Sequence, residues 1–118
     1  MHTLKRGTAV TRGFRLEGLD PDRDILSIEF LFKERKTEHA PPLLCKSYPG
    51  KGVTYDPARG EGTLRFTEAD TRALPANQRV FLDTRIRFLD GTVPRTDILE
   101  FAVTETLFGA EDAFDNGI

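Results

Sequence analysis

Between Arg79 and Leu89 the chain alternates in polarity. Val80, Leu82, Thr84, Ile86 and Phe88 fall on one side, and Phe81, Asp83, Arg85, Arg87 and Leu89 on the other. Successive side chains leave a β-strand on opposite faces, so a period of two marks a strand with one face on a core. Asp90-Gly91 follows at once, the strongest short signal for a tight hairpin turn with positive φ at its central residues. The return strand is expected over Thr92–Leu107, with Leu99, Phe101, Val103 and Leu107 on one face. Pro94, lacking an N–H, confines its start to an edge or a bulge. A long amphipathic hairpin is stable only when its apolar face is covered, so the chain must supply a further layer.

The same period recurs upstream. Thr8–Leu16 reads as a strand through Val10, Arg12, Phe14 and Leu16, with Gly13 loosening it or marking a bulge. Gly18-Leu19-Asp20-Pro21-Asp22 is a turn, after which Ile25–Lys33 points Leu26, Ile28, Phe30 and Phe32 one way. Pro41-Pro42 interrupts the chain before a short strand over Leu43–Tyr48. Pro49-Gly50-Lys51-Gly52 turns it, Val53–Tyr55 and Thr63–Phe66 are strands, and Asp56–Gly62 is the loop between them. Thr67 can cap a helix, with acids in its first turn and Asp70 at the capping-box position, over about residues 68–74 before Pro75 ends it. Short strands, turn signals every ~8–12 residues and one helix predict an immunoglobulin-like antiparallel β-sandwich of 6–8 strands. Residues 1–108 form the single expected domain, and 109–118 are an acidic C-terminal tail.

A chain of 118 residues is long enough for one core without staples. Its nine Phe, against two Tyr and no Trp, suit a dry interface between sheets, because Phe needs no buried hydrogen-bond partner. No apolar run reaches the ~18 residues of a membrane span, and Met1–Gly7 lack the apolar stretch of a secretory signal, so a soluble domain is expected. Cys45 is alone, which excludes an internal disulfide. A net charge of −2 gives no bulk attraction to nucleic acid. Charge is unevenly spread, however. Lys5, Arg6, Arg12 and Arg15 stand near the start without an acid, and Glu105, Glu111, Asp112 and Asp115 near the end without a base. The two ends either attract within one subunit or join one subunit to the next.

No catalytic constellation can be assembled, and no cofactor is expected. Asp20-Pro21-Asp22-Arg23-Asp24 imitates a calcium loop, but Ile25 and Leu31 occupy the places of its Gly and bidentate acid, leaving a salt-laced turn. Gly50-Lys51-Gly52 lacks the earlier Gly and following Ser/Thr of a phosphate loop and reads as a hairpin turn. His2 and His39 have no nucleophile in view, and Cys45 beside Leu43-Leu44 reads as a small buried hydrophobe. Zinc would need clustered Cys and His. Asp83 is expected to pair across strands with neighbouring Arg, and Arg79, Arg85 and Arg87 to form a solvated face. Tyr48 and Tyr55 are the one candidate platform for a carbohydrate or other ligand.

Three segments resemble a family of small late-operon proteins of tailed phages and prophages, mainly of Gram-positive bacteria. Arg6-Gly7-Thr8 through Phe14-Arg15-Leu16 is similar to the family's opening. Leu64-Arg65-Phe66-Thr67-Glu68-Ala69-Asp70-Thr71 resembles its strand and capped helix, and Val80–Phe88, Asp90-Gly91-Thr92 and Thr96-Asp97-Ile98 resemble its final hairpin. The layout also resembles the immunoglobulin-like N-terminal domain of siphophage baseplate upper proteins. The resemblance implies a non-catalytic virion structural protein of tail, baseplate or head, made in the host cytoplasm. Its partners would be other virion proteins and itself, with neither membrane nor nucleic acid. Arg35–Pro57 is longer than the family's usual hairpin. Lys5, Arg6 and Arg12, with Phe108 and Phe114 of the tail, are the expected partner-binding residues. The alternative is a carbohydrate- or ligand-binding β-sandwich.

Overall fold

A computed structural model describes residues 2–19, 24–94 and 96–105. Along the chain it has β1 (His2–Lys5), β2 (Val10–Arg15), β3 (Ile25–Lys33), β4 (Leu44–Tyr48), β5 (Val53–Asp56), β6 (Glu61–Phe66), α1 (Glu68–Arg72), β7 (Gln78–Phe88) and β8 (Leu99–Thr104). One sheet has five strands in the order β1-β8-β7-β3-β4, the other three in the order β2-β6-β5. In an immunoglobulin domain strands C, F and G share one sheet, extended by C′, while B, E and D share the other. Here β3, β7 and β8 take the places of C, F and G, β4 that of C′, and β2, β6 and β5 those of B, E and D. The expected immunoglobulin-like sandwich is therefore the observed fold. One pairing, β1 with β8, is parallel; the others are antiparallel.

Phenylalanines join the two sheets. Phe32 on β3 packs edge to face with Phe66 of β6 in the other sheet at 5.6 Å and with Phe101 of β8 in its own sheet at 5.5 Å. Phe14 on β2 meets Phe30 on β3 at 5.1 Å. Each such pair contributes about 0.5–1.5 kcal/mol beyond the area it buries. The inward set of β7 (Val80, Leu82, Ile86, Phe88) is buried as its alternation requires.

The end of the sandwich near α1, the base, is held by polar bonds. Thr67 accepts from the Asp70 backbone N–H at 3.1 Å, and the Asp70 carboxylate accepts from the Thr67 N–H at 2.8 Å, completing the capping box. Thr71, fully buried, donates its hydroxyl to the Thr8 carbonyl at 2.9 Å and accepts from the Thr8 N–H at 3.1 Å. Arg6 reaches the Arg72 carbonyl at 3.2 Å and the Glu105 carboxylate at 3.5 Å, so one ion pair between the basic and acidic ends forms within one subunit; Glu111, Asp112 and Asp115 lie outside the described residues.

The structure corrects several details. Residues 2–5 are a strand of the larger sheet that no alternation announced, and the expected strand over Thr8–Leu16 is confined to Val10–Arg15. Its ladder runs through Gly13 without a break. Leu26 does not join the core: the register with β7 shifts between Ile25 and Ser27, and the bulge leaves it 54% exposed. The hairpin after β7 is a three-residue loop with only Gly91 at positive φ, closed by Gly91 N–H to Phe88 O and Phe88 N–H to Thr92 O. The return strand begins only at Leu99, because Pro94 cannot donate to the ladder and residues 92–94 and 96–98 stay outside it. Leu99 is itself exposed, and Cys45 lies exposed rather than among the hydrophobes. Asp20–Arg23, Leu107 and the tail 109–118 lie outside the described residues.

Candidate functional site

The side of the sandwich where β2 faces β1 and β8 is only half closed. Among the described residues β1 pairs with β8 from Phe101 to Thr104, and none lies beside β8 on that side toward Leu99. Residues 96–98 are held by a side chain in place of the missing ladder: the Thr96 hydroxyl donates to the Thr84 carbonyl at 2.6 Å. Across the gap runs β2, the last strand of its sheet among the described residues. Between them lies a groove of about 680 Å³. Phe30, Leu82 and Ile86 form its floor, and Phe14, Leu19 and Leu99 its walls.

The free margin of β2 has a definite phase. The Leu16 N–H donates to the Gly60 carbonyl at 2.8 Å, toward β6 and its turn. Backbone groups of an antiparallel strand alternate in direction, so Val10, Arg12 and Phe14 also bond β6, opposite Phe66, Leu64 and Gly62. Thr11, Gly13 and Arg15 therefore turn their N–H and C=O groups toward the groove side. Among the described residues this row is unpaired, and such a row is a template for another strand.

Charge around the groove is divided. Arg12 points inward and donates to the Thr3 carbonyl on β1 at 2.6 Å, bridging the two sheets and closing the base end of the gap. It has no carboxylate partner among the described residues, and neither has Lys5 on β1. Arg15 is paired with Glu61 at 2.5 Å, and that hydrogen bond and the attraction of Glu61 raise its pKa further above an already high value. Glu17 and Asp97 line the opposite end.

Of the five residues expected to bind a partner, the structure places three. Arg12 borders the groove; Lys5 and Arg6 lie at the base, and Arg6 is engaged with Arg72 and Glu105. Phe108 and Phe114 lie outside the described residues. The residues that sequence reasoning missed are Phe14, Leu19 and Leu99 as groove walls. The available signal was Pro94, which announces that the return strand cannot pair along its whole length.

The other candidates disperse. Tyr48 and Tyr55 pack edge to face at 6.1 Å against the core, and Phe14 stacks on Tyr55, so they are not an exposed platform. Burial, then Asp56 and Tyr48, push the Tyr55 hydroxyl pKa up. On the outer face of the larger sheet Arg87 pairs with Glu29 at 3.1 Å and Arg79 with Glu100 at 3.4 Å, but among the described residues Asp83 takes no cross-strand ion pair. Lys36 covers the Phe81 ring at 5.0 Å and reaches Glu100 at 3.6 Å, so part of that face is covered by a side chain of its own. Pro49–Gly52 is a turn locked by reciprocal Ser47 and Lys51 backbone bonds. Among the described residues no cluster of His, Cys, Asp and Glu could hold a metal ion, and no helix is long and apolar enough to cross a membrane. No family model matches the chain, and a search of curated proteins finds no match to it.

Proposed function

We propose that the chain is a non-catalytic structural component of a tailed-phage or phage-like particle, of tail, baseplate or head, working through protein–protein contacts. The observation that carries this reading is the open β2 margin beside an apolar groove on an immunoglobulin-like sandwich. A row of unpaired backbone groups next to uncovered apolar side chains suits another polypeptide better than a small polar ligand. Two of the three segments that carry the family resemblance also meet in space. Thr8 of the first binds Thr71 at the end of the second, and Arg6 binds Arg72 just past it. Those residues hold the fold together, which supports reading the resemblance as one of architecture. The packing of Tyr48 and Tyr55 against the core leaves the ligand-binding alternative without its aromatic pair.

Particle fractionation tests the reading. An epitope-tagged chain, produced in a host carrying its phage or prophage, is followed by mass spectrometry through a density gradient after induction. It is expected to sediment with the major particle proteins at a constant ratio. Recovery only in the soluble fraction at the top of the gradient rejects the proposal.

A further inference from the structure

We propose that the groove accepts, along the free margin of β2, an extended strand formed by residues 106–118 of a second copy of this chain. The place fits a strand. The immunoglobulin arrangement carries strand A beside B in the B-E-D sheet, and among the described residues nothing occupies that place next to β2. Thr11, Gly13 and Arg15 offer the backbone row. A strand laid on them sends every second side chain over Phe14, Leu19 and Leu99.

The occupant follows from composition, charge and reach. Residues 106–118 carry Leu107, Phe108, Phe114 and Ile118, apolar enough to cover the groove, and three acids, Glu111, Asp112 and Asp115, with no base. Arg12 and Lys5 hold positive charges that meet no carboxylate among the described residues, whereas Glu17 and Asp97 stand at the far end. The division fixes a direction, with acids over Arg12 and away from Glu17 and Asp97. β2 has six residues, a strand of ~20 Å, and the segment is about twice as long, so it can pair along the whole margin. Glu105 is held beside Arg6 at the base, and there the Arg12–Thr3 bond closes the gap between the sheets. The groove is open on the side away from that bond, where a neighbouring copy can enter. The contact joins two different surfaces, so copies add head to tail into rings or filaments.

The inference starts from the same open margin and groove as the reading above, but the two have separate tests. Absence from particles would reject that reading and leave self-association standing, and a monomeric chain found in particles would do the reverse. The test uses the full chain and three variants in light scattering over a concentration series. Leu99→Glu puts a charge on an exposed groove wall. Gly13→Pro removes an N–H directed away from β6, at a position where a Cβ meets nothing closer than the Gly62 carbonyl at 3.9 Å. Phe108→Ser combined with Phe114→Ser disarms the segment. The full chain is expected to rise in mean mass with concentration, and each variant to stay at the mass of one copy with an unchanged circular dichroism spectrum. An equimolar mixture of Leu99→Glu with the double Phe variant retains one working groove and one working segment. It is expected to reach twice the single-copy mass and stop. A full chain monomeric at every concentration overturns the proposal, as does a double Phe variant that associates like the full chain or a mixture that stays monomeric. If Gly13→Pro does not fold, Leu99→Glu and the mixture decide.

Discussion

Asp70 is the residue on which the base of the sandwich most directly depends. Its carboxylate accepts from the Thr67 backbone N–H at 2.8 Å and from Lys46 Nζ at 2.5 Å, tying the capped turn of α1 to β4. The side chains of Lys46 and Asp70 are only 12% and 18% exposed, so water screens the pair less than it screens a surface ion pair. Asp70→Ala removes the reciprocal half of a capping box, worth about 1 kcal/mol. It also removes a charge-assisted hydrogen bond of about 1.5–3 kcal/mol. Discounted for residual exposure, the sum is about 2–3 kcal/mol, which lowers the melting temperature by roughly 10 °C in a domain of this size. A double-mutant cycle of Lys46→Met and Asp70→Asn, followed by urea denaturation, isolates the pair and should return a coupling of at least about 1 kcal/mol. Burial alone would push the Asp70 pKa up, but Lys46 and the Thr67 bonds outweigh it and the pKa is lowered. A group with a depressed folded pKa adds stability above its ordinary value, about 3.8 here, and loses it as pH falls through the folded value. The wild-type advantage over Asp70→Asn should therefore hold at neutral pH and shrink only below pH 4. A coupling under about 0.5 kcal/mol, or an advantage independent of acid, would show the pair to be an ordinary surface contact.

Two further substitutions probe the sheets. Gly62→Ala should destabilise by about 2–3 kcal/mol, because its Cβ would collide with the Thr54 carbonyl and the Phe14 ring, and a backbone carbonyl has little room to yield; an unchanged urea midpoint refutes this. Leu26→Ser should change stability by less than about 0.5 kcal/mol, since the bulge has already expelled that side chain, whereas Ile28→Ala two positions on should cost about 2–4 kcal/mol. Equal losses at the two positions in thermal melts would place Leu26 in the core.

Regular period was readable from residues alone; its interruptions were not. The inward sets of β3 and β7 stand in the sequence as alternation, because a half-buried strand has no other way to satisfy both faces. The capped helix was equally plain, since Thr67 and Asp70 act over three residues and need no distant partner. Leu26 fits the inward set in sequence as well as Ile28 does, and only the pairing with β7 expels it. β1 was invisible for a related reason. A four-residue strand bearing one buried side chain, Leu4, has too few positions to show a period, and a parallel partner at the far end of the chain leaves no local turn signal. The groove inherits both difficulties, being defined by where β1 and β8 stop pairing.

This division bears on what the family resemblance can say. Arg6, Thr8, Thr67, Asp70 and Thr71 are hydrogen-bonded to one another or to the base of the sandwich, so a chain of this architecture needs them whatever it binds. Arg12, Glu17, Asp97 and Leu99 line the groove, and three of them do little for the core. Arg12 alone has both roles, through Thr3. Partner choice can therefore change at Glu17, Asp97 and Leu99 at little cost in stability. Arg12 is the exception: Arg12→Ala should both loosen β1 from β2 and weaken capture of an acidic strand. If Arg12→Lys, which keeps the charge but not the planar fork, restores association while β1 remains loosened, the charge selects the partner and the hydrogen bond only seats the strand.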